Sequence, residues 1–149
     1  MCIRDSPIAA AIIPNKELRD DFMRNTKGIV AHIDSIAFVA AEAAYAKTDK
    51  WHKELIQYLK DNREMLVKRI NKIKGLSLRG PEAGFLAWID CRETGLENPS
   101  NFFIDEAKVG VYDGAWFGNK DYVRLNFGCP RFLLEEAINR IEKAFSQRI

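Results

Sequence analysis

The sequence predicts an α/β fold, with a small α+β module in the second half of the chain. Apolar and polar residues alternate in YVRLNF, which indicates a β-strand because successive side chains of a strand point to opposite faces. The apolar run FLAWI, which follows a turn at Gly80 and Pro81, is also interpreted as a strand. Apolar residues recur at three- and four-residue spacing in a long central stretch and again after Arg131, which indicates amphipathic helices. A chain of 149 residues is long enough for one domain with a sizeable core.

The first element is predicted to be a strand. Ile8–Pro14 is a short apolar run that ends in proline, and it is interpreted as a buried strand. Asn15 can then cap a helix that runs from Lys16 to about Asn25. A lone buried strand is not stable without partners, so we expect the chain to have been cut from a larger structure.

A long helical region follows, from Asp34 to Lys74. The stretch KTDK is expected to break it, and Asp49 can cap the second piece. Gly75 is expected to end the region, because glycine readily adopts the left-handed conformation found after helices.

The second half is predicted to alternate strands and helices. Leu76–Asp90 is interpreted as two strands around a turn at Gly80 and Pro81, with Phe85, Ala87 and Ile89 on one face. Ser100 can cap a short helix that ends before Gly110, and a glycine-rich connection, VGVYDGAWFGNKDY, leads into the next strand.

The last strand and helix meet at a corner that presents an arginine. Val123, Leu125 and Phe127 point to one face of the predicted strand, Gly128 provides the bend, and Pro130 suits a first helical turn. Arg131 is therefore expected near unpaired backbone N–H groups, where a carboxylate or phosphate can bind. Alternatively, it is a solvated residue or pairs with Glu135 one turn later.

Composition excludes several classes of function. A net charge of +2 is too small to indicate a nucleic-acid or membrane partner. No stretch is long enough to cross a bilayer, and three widely spaced cysteines are typical of reduced intracellular thiols, so we expect a cytoplasmic protein. The two histidines and three cysteines lack the spacing of a metal site, and none is predicted.

A thiol enzyme is a weaker alternative. Cys129 precedes a helix start, where the helix dipole would lower the pKa of its thiol. Its histidine base would have to be His32 or His52, and no motif links either one to Cys129. Asp90 and Glu93 are a further conceivable carboxylate pair, although solvation at a loop edge accounts for both.

Five ordered blocks carry a family resemblance: IIPNKELRDDF, EAAYAKTDKWHKELIQYLKDNREML, GPEAGFLAWIDCRETGL, GAWFG and YVRLNFGCPRFLLEEAINRI. Together they resemble the C-terminal part of class I and II pyridoxal-phosphate (PLP) aminotransferases, and they are most similar to the MalY/PatB-type cystathionine β-lyase branch. The blocks cover nearly the whole chain from Ile8 onward. Their order and spacing are more specific than any one block.

The resemblance implies a division of the chain into three parts. Residues 1–32 correspond to the end of the large domain of PLP-transferase fold type I, with 1–6 as a leader that does not match the family. Residues 33–74 correspond to a connecting helical region. Residues 75–149 correspond to a C-terminal small domain with a short, mainly antiparallel sheet and packed helices.

The resemblance also implies the site. Arg131 matches the arginine that binds the substrate α-carboxylate, and it is the principal predicted site residue. The resemblance places four further residues at the active-site lining: Gly114, Phe117, Gly118 and Asn126. No catalytic residue is expected in this chain, because the family's Schiff-base lysine falls at or before Met1 and MCIRDSP does not match its segment.

Two hypotheses follow. In the first, the chain is part of a PLP-dependent aminotransferase or C–S β-lyase that acts on amino acids and is a homodimer when complete. In the second, the chain is a non-catalytic folded module or a truncated product without activity of its own. Departures from the family at Ala83, Gly84 and residues 32–36 leave the substrate and the reaction open.

Overall fold

The computed structural model describes residues 8, 10–30 and 33–148. The chain divides into two compact units, Met1–His52 and Lys53–Ile149. The predicted division into 1–32, 33–74 and 75–149 stays a prediction. In the described part of the chain, every helix is too short or too polar to cross a membrane.

The first unit has no strand among its described residues, so the predicted strand at Ile8–Pro14 is wrong. The described residues of that run form no regular structure, and the side chain of Ile12 is 89% exposed. A strand needs a neighbour for its backbone hydrogen bonds, and the described part of the chain offers none here. The apolar run alone therefore did not determine a strand.

Two helices of the first unit begin at capping side chains. Helix α1 spans Lys16–Thr26, and Asn15 accepts a hydrogen bond from the backbone N–H of Leu18 at 3.1 Å, as predicted. Helix α2 spans Ser35–Lys47 and is capped in the same way by Asp34. Each cap satisfies a backbone donor that has no partner within its helix.

Helix α3 spans Asp49–Ile70, so the break falls at Thr48, inside the predicted KTDK stretch. Asp49 is the first helical residue rather than the residue before the helix, which corrects its predicted position. A short turn follows α3, and Gly75 adopts a φ of +87° there. A Cβ at Gly75 would lie 2.8 Å from the carbonyl oxygen of Glu93, so only glycine fits.

A three-stranded antiparallel sheet forms the centre of the second unit. Its strands are β1 (Leu86–Asp90), β2 (Tyr112–Asp113) and β3 (Tyr122–Asn126), in the order β1-β3-β2. The predicted strand before Gly80 and Pro81 is reduced to one bridge between Ser77 and Asp90. The predicted glycine-rich connection contains β2 and a 3-10 turn, Gly114–Phe117, which the sequence did not indicate.

The remaining helices complete the second unit. Helix α4 spans Pro99–Asp105 and is capped by Asn98, not by Ser100 as predicted; the Ser100 hydroxyl instead donates to the Asn98 side chain. Helix α5 spans Arg131–Ser146, and Pro130 occupies its cap position.

The core of the second unit lies between the sheet and the helices α3, α4 and α5. The predicted alternation of the strands is confirmed, because the side chains on one face of β1 and β3 are buried and those on the other face are partly exposed. The largest buried side chains are Leu66, Ile70, Ile89, Phe103, Val123, Phe127, Leu134, Ile138 and Ile141. The mixed α/β fold with a small antiparallel sheet is confirmed.

Candidate active site

An aromatic cluster surrounds one arginine on the face of the sheet that points away from the core. In the ladder, Arg124 of β3 lies opposite Trp88 of β1 on one side and Tyr112 of β2 on the other. Trp88 stacks on Tyr122 with 5.3 Å between ring centres and meets Phe117 edge-on at 6.0 Å. We name these five residues the sheet-face cluster.

Two aromatic rings contact the guanidinium of Arg124. Its central carbon lies 4.6 Å from the centre of the Tyr112 ring and 4.2 Å from the centre of the Phe117 ring. Such cation–π contacts hold the side chain in place but supply no hydrogen-bond acceptor in the plane of the guanidinium. The rings therefore orient the positive charge, which forms no ion pair with another residue in the part of the chain that the structure describes.

The Nε atom of Arg124 is buried and has no hydrogen-bond partner. Among the residues that the structure describes, it is the one buried side-chain nitrogen or oxygen without a hydrogen-bond partner. An unpaired buried donor costs about 1–3 kcal/mol, so such atoms are rare and call for an explanation. A carboxylate that reached this edge of the guanidinium would satisfy the donor.

The 3-10 turn that carries Phe117 depends on Gly114. A Cβ at Gly114 would lie 2.2 Å from the carbonyl oxygen of Asn119 and 2.3 Å from that of Tyr122, so no other residue fits. Asp113 caps the turn by accepting from the N–H of Ala115. The turn ends at Gly118, whose φ is +89°.

The structure therefore brings some of the predicted lining residues together. Gly114, Phe117 and Gly118 lie in one turn, and the ring of Phe117 contacts Arg124. Asn126 is exposed, and its side chain accepts from the N–H of Gly128 at the corner after β3. Their role in lining an active site stays a prediction.

The carboxylate of Asp90 holds Tyr122, the residue of the sheet-face cluster at the start of β3. The carboxylate of Asp90 accepts from Arg92, at 2.7 Å from Nη2, and from the hydroxyl of Tyr122 at 2.9 Å. The Arg92 guanidinium lowers the pKa of Asp90 to about 2, and the hydrogen bond to Asp90 raises the pKa of Tyr122. Asp90 thus pairs with Arg92 and not with Glu93, and it orients the Tyr122 ring under Trp88.

Arg131, the predicted carboxylate ligand, already has partners within the chain. Its Nε donates to Asn62 at 3.1 Å and its Nη2 to Asp61 at 3.4 Å, and its guanidinium lies 5.0 Å from the centre of the Tyr58 ring. The pairing with Glu135 considered from the sequence is replaced by these contacts with α3. The carboxylate-binding role of Arg131 stays a prediction.

The sequence analysis did not single out Arg124. The available signal was an arginine in the middle of an alternating strand, whose neighbours on the same face are aromatic. That signal is weak, because the partners Tyr112 and Phe117 are provided by a connection that sequence patterns did not resolve.

The cysteines do not support the thiol alternative. Burial raises the pKa of Cys91 to about 12 and also raises the pKa of Cys129, which is opposite to the lowering expected at a helix start. Cys2 and His32 lie outside the described residues. Within the described ranges, no three histidine, cysteine or acidic side chains are grouped so that they could hold a metal.

Comparison with known proteins identifies the relatives. The family model for aminotransferase class I and II matches residues 8–141. A curated relative, cystathionine beta-lyase from Corynebacterium glutamicum, is 37% identical over 111 residues, which are 73% of this chain and 30% of that protein. The resemblance found in the sequence, including the cystathionine β-lyase branch, is confirmed.

Solved structures share the fold. A crystal structure of OvoB is 45% identical with a TM-score of 0.84, and the match covers 91% of this chain and 35% of that one. A PLP-bound C-S lyase from Staphylococcus hominis is 27% identical with a TM-score of 0.75, over 93% of this chain and 37% of that one. The chain thus spans little more than a third of the length of these proteins.

Proposed function

The chain belongs to the class I and II aminotransferase family, and from this premise we propose that it forms the substrate-carboxylate side of a PLP-dependent enzyme that acts on amino acids. The reaction is C–S β-elimination or amino-group transfer, and the relative named cystathionine beta-lyase supports the first. Because the chain matches 30% of that relative, the activity is proposed for the complete parent protein.

The observation that carries this proposal is the unpaired Nε of Arg124. The contacts with Tyr112 and Phe117 orient the guanidinium, while its Nε is a buried donor that no group among the described residues satisfies. A guanidinium edge matches a carboxylate with two parallel hydrogen bonds. An amino acid has such a group in every case, whatever its side chain.

Arg131 is the competing candidate. Its Nε and Nη2 already donate to Asn62 and Asp61, and a substrate carboxylate would have to displace Asp61 or share the cation with it. Loss of the ion pair would cost little, because both side chains are about 40% exposed and Asp61 keeps its hydrogen bond from Gln57. Loss of the Nε contact would cost more, because it leaves the buried oxygen of Asn62 without its donor. The geometry therefore supports Arg124 over Arg131.

The residues of this chain are suited to binding the substrate, but its described lysines are not suited to attaching the cofactor. Every lysine in the described part of the chain is exposed, whereas a Schiff-base lysine is activated by desolvation or by a neighbouring cation. PLP, when bound, acts as an electron sink for the substrate carbon next to the carboxylate. We propose that the rest of the parent holds it and that this chain orients the substrate through its acid group.

The exposed lysines also favour the second hypothesis for the chain by itself, which is a folded module without activity. For the parent we propose a cytoplasmic homodimer. The isolated chain is tested by incubation with PLP, reduction with borohydride and peptide mapping. We expect no lysine to be labelled preferentially, and stoichiometric labelling of one lysine would contradict the proposal.

The arginine assignment is tested in a chimera in which this chain replaces the segment that it matches in the Corynebacterium glutamicum relative. Thiol release from cystathionine is measured for the chimera and its variants. Arg124→Lys keeps the charge but loses the bidentate edge, so we expect KM to rise about tenfold to a hundredfold. Arg140→Lys, on the exposed face of α5, is the matched control and should leave KM unchanged.

Arg131→Lys separates the two candidates in the same assay. We expect a clearly smaller rise in KM than for Arg124→Lys. A larger rise for Arg131→Lys would assign the carboxylate to Arg131, as the sequence predicted. Equal KM values for Arg124→Lys and the unmodified chimera would refute the role of Arg124.

A further inference from the structure

Asn62 is a fully buried polar residue on α3 whose side chain faces the corner between β3 and α5. Its Nδ2 donates to the carbonyl oxygen of Phe127 at 3.3 Å and to that of Cys129 at 3.2 Å. Both carbonyls belong to the bend after the strand, and the N–H of Phe127 also donates to the carbonyl oxygen of Phe85 at 2.9 Å. One carboxamide therefore holds the backbone on both sides of Gly128.

Arg131 provides the remaining hydrogen bond of the Asn62 side chain. Its Nε donates to the Oδ1 of Asn62, so both donors of the Asn62 amide and its oxygen are engaged. The backbone N–H of Arg131 donates to the hydroxyl of Tyr58 at 2.6 Å, and Nη2 reaches Asp61. The side chains of Tyr58, Asp61 and Asn62, which are neighbours on α3, thus all contact Arg131.

We infer that Tyr58, Asp61, Asn62 and Arg131 form a lock that positions Arg124, and that Asn62 and Arg131 are positioning residues rather than ligands. The ligand role of Arg124 rests on the proposed function, whereas the lock rests on the contacts above. Fully satisfied buried polar groups specify one arrangement of the backbone, because each alternative leaves a donor or acceptor unpaired.

The lock can act on Arg124 through the short strand β3. At the start of the strand, the carbonyl oxygen of Asp121 accepts from the N–H of Cys91, and the hydroxyl of Tyr122 donates to Asp90. At its end, the lock holds the carbonyl of Phe127, three residues after Arg124. A five-residue strand held at both ends leaves its central residue little freedom to shift along the ladder.

The test uses the 149-residue chain, labelled with ¹⁵N, and observes the Nε–Hε signal of Arg124 by NMR. Asn62→Leu removes the lock and keeps the side-chain volume. The matched control is Asn71→Leu, because Asn71 also makes two hydrogen bonds to one segment, the backbone of Leu78, away from the corner. Unfolding in urea is measured for both variants.

We expect both variants to unfold at lower urea concentration, but only Asn62→Leu to shift and broaden the Arg124 signal. Equal effects of the two variants on that signal would show that Asn62 contributes only to stability, and no effect of Asn62→Leu would overturn the lock. This readout needs no bound carboxylate, so it is independent of the KM test of Arg124.

A milder variant covers the case in which Asn62→Leu does not fold. Tyr58→Phe removes only the hydroxyl that accepts from the Arg131 backbone. We expect it to fold and to shift the Arg124 signal in the same direction by a smaller amount. An unchanged Arg124 signal in Tyr58→Phe, together with an unfolded Asn62→Leu, would count against the lock.

Discussion

Trp88 of β1 and Arg124 of β3 lie directly opposite each other in the antiparallel ladder, on the face of the sheet that points away from the core. The rings of Tyr112 and Phe117 lie against the guanidinium of Arg124, whereas the carboxylate of Asp90 in the same layer is held by Arg92 and Tyr122. This arrangement orients the guanidinium by contacts with aromatic rings. It also makes the arginine depend on the turn that carries Phe117.

Replacement of Gly114 by alanine is predicted to disrupt that turn. The new Cβ would lie 2.2 Å from one backbone carbonyl oxygen and 2.3 Å from another, and neither can move without breaking the connection to β3. We expect a loss of about 3 kcal/mol or more in the free energy of unfolding. Urea unfolding of the 149-residue chain measures this loss.

Gly118→Ala is the control for the Gly114 variant. A Cβ at Gly118 meets no atom within 4 Å, and only the φ of +89° opposes it. We expect a cost of about 1–2 kcal/mol, the ordinary penalty of a left-handed conformation. Gly114 has no positive φ, so an equal cost of Gly118→Ala and Gly114→Ala would refute the prediction that the steric clash at Gly114 is the larger effect.

The pairing of Asp90 with Arg92 predicts a dependence of stability on pH. The pKa of Asp90 is lowered from its ordinary 3.8 to about 2, so the folded state binds the proton less readily than the unfolded state. The stabilisation is therefore fully present above pH 3.8 and is lost as the pH falls toward about 2. An NMR titration of the Asp90 carboxyl carbon measures the pKa directly.

In Arg92→Ala the same titration should move back toward 3.8, because the principal hydrogen-bond donor is gone. The hydroxyl of Tyr122 remains as a weaker donor, so the return is expected to be incomplete. An unchanged Asp90 titration in Arg92→Ala would show that another group lowers the pKa.

The two described cysteines are predicted to react slowly with alkylating reagents. Burial raises the pKa of the Cys91 thiol to about 12, and it raises that of Cys129 as well, so little thiolate is present at neutral pH. We expect iodoacetamide to modify Cys129 more slowly than in the urea-unfolded chain and to leave Cys91 unmodified until the chain unfolds. Peptide mapping by mass spectrometry distinguishes the sites, and rapid modification of Cys129 in the folded chain would revive the thiol alternative.

Elements with a clear period could be predicted from the sequence. The alternation of Val123, Leu125 and Phe127 identified β3 and its buried face, and the spacing of apolar residues identified α5. Asn15 was correctly predicted as a cap, because a side-chain oxygen before a helix satisfies a nearby backbone donor. These patterns involve only neighbouring residues, and the structure confirms the cap, the strand and the helix that they predicted.

Elements that depend on distant partners were predicted less well. The apolar run at Ile8–Pro14 has the composition of a strand but no neighbouring strand in the described part of the chain. Asn98 and Ser100 both can cap a helix, and the structure selects Asn98. The short strand β2 is recognisable only through its pairing with Arg124 and Val123.

The sequence by itself determined the family, the mixed α/β class and the presence of an arginine at the corner before the last helix, because motifs and periodicity are properties of neighbouring residues. Only the tertiary structure decided which side chains surround each arginine. Arg131 meets Asp61 and Asn62 from about 70 residues earlier in the chain, whereas Arg124 meets aromatic rings that leave its Nε unpaired. Whether a charge is neutralised within the protein depends on such long-range contacts, which no local pattern in the chain specifies.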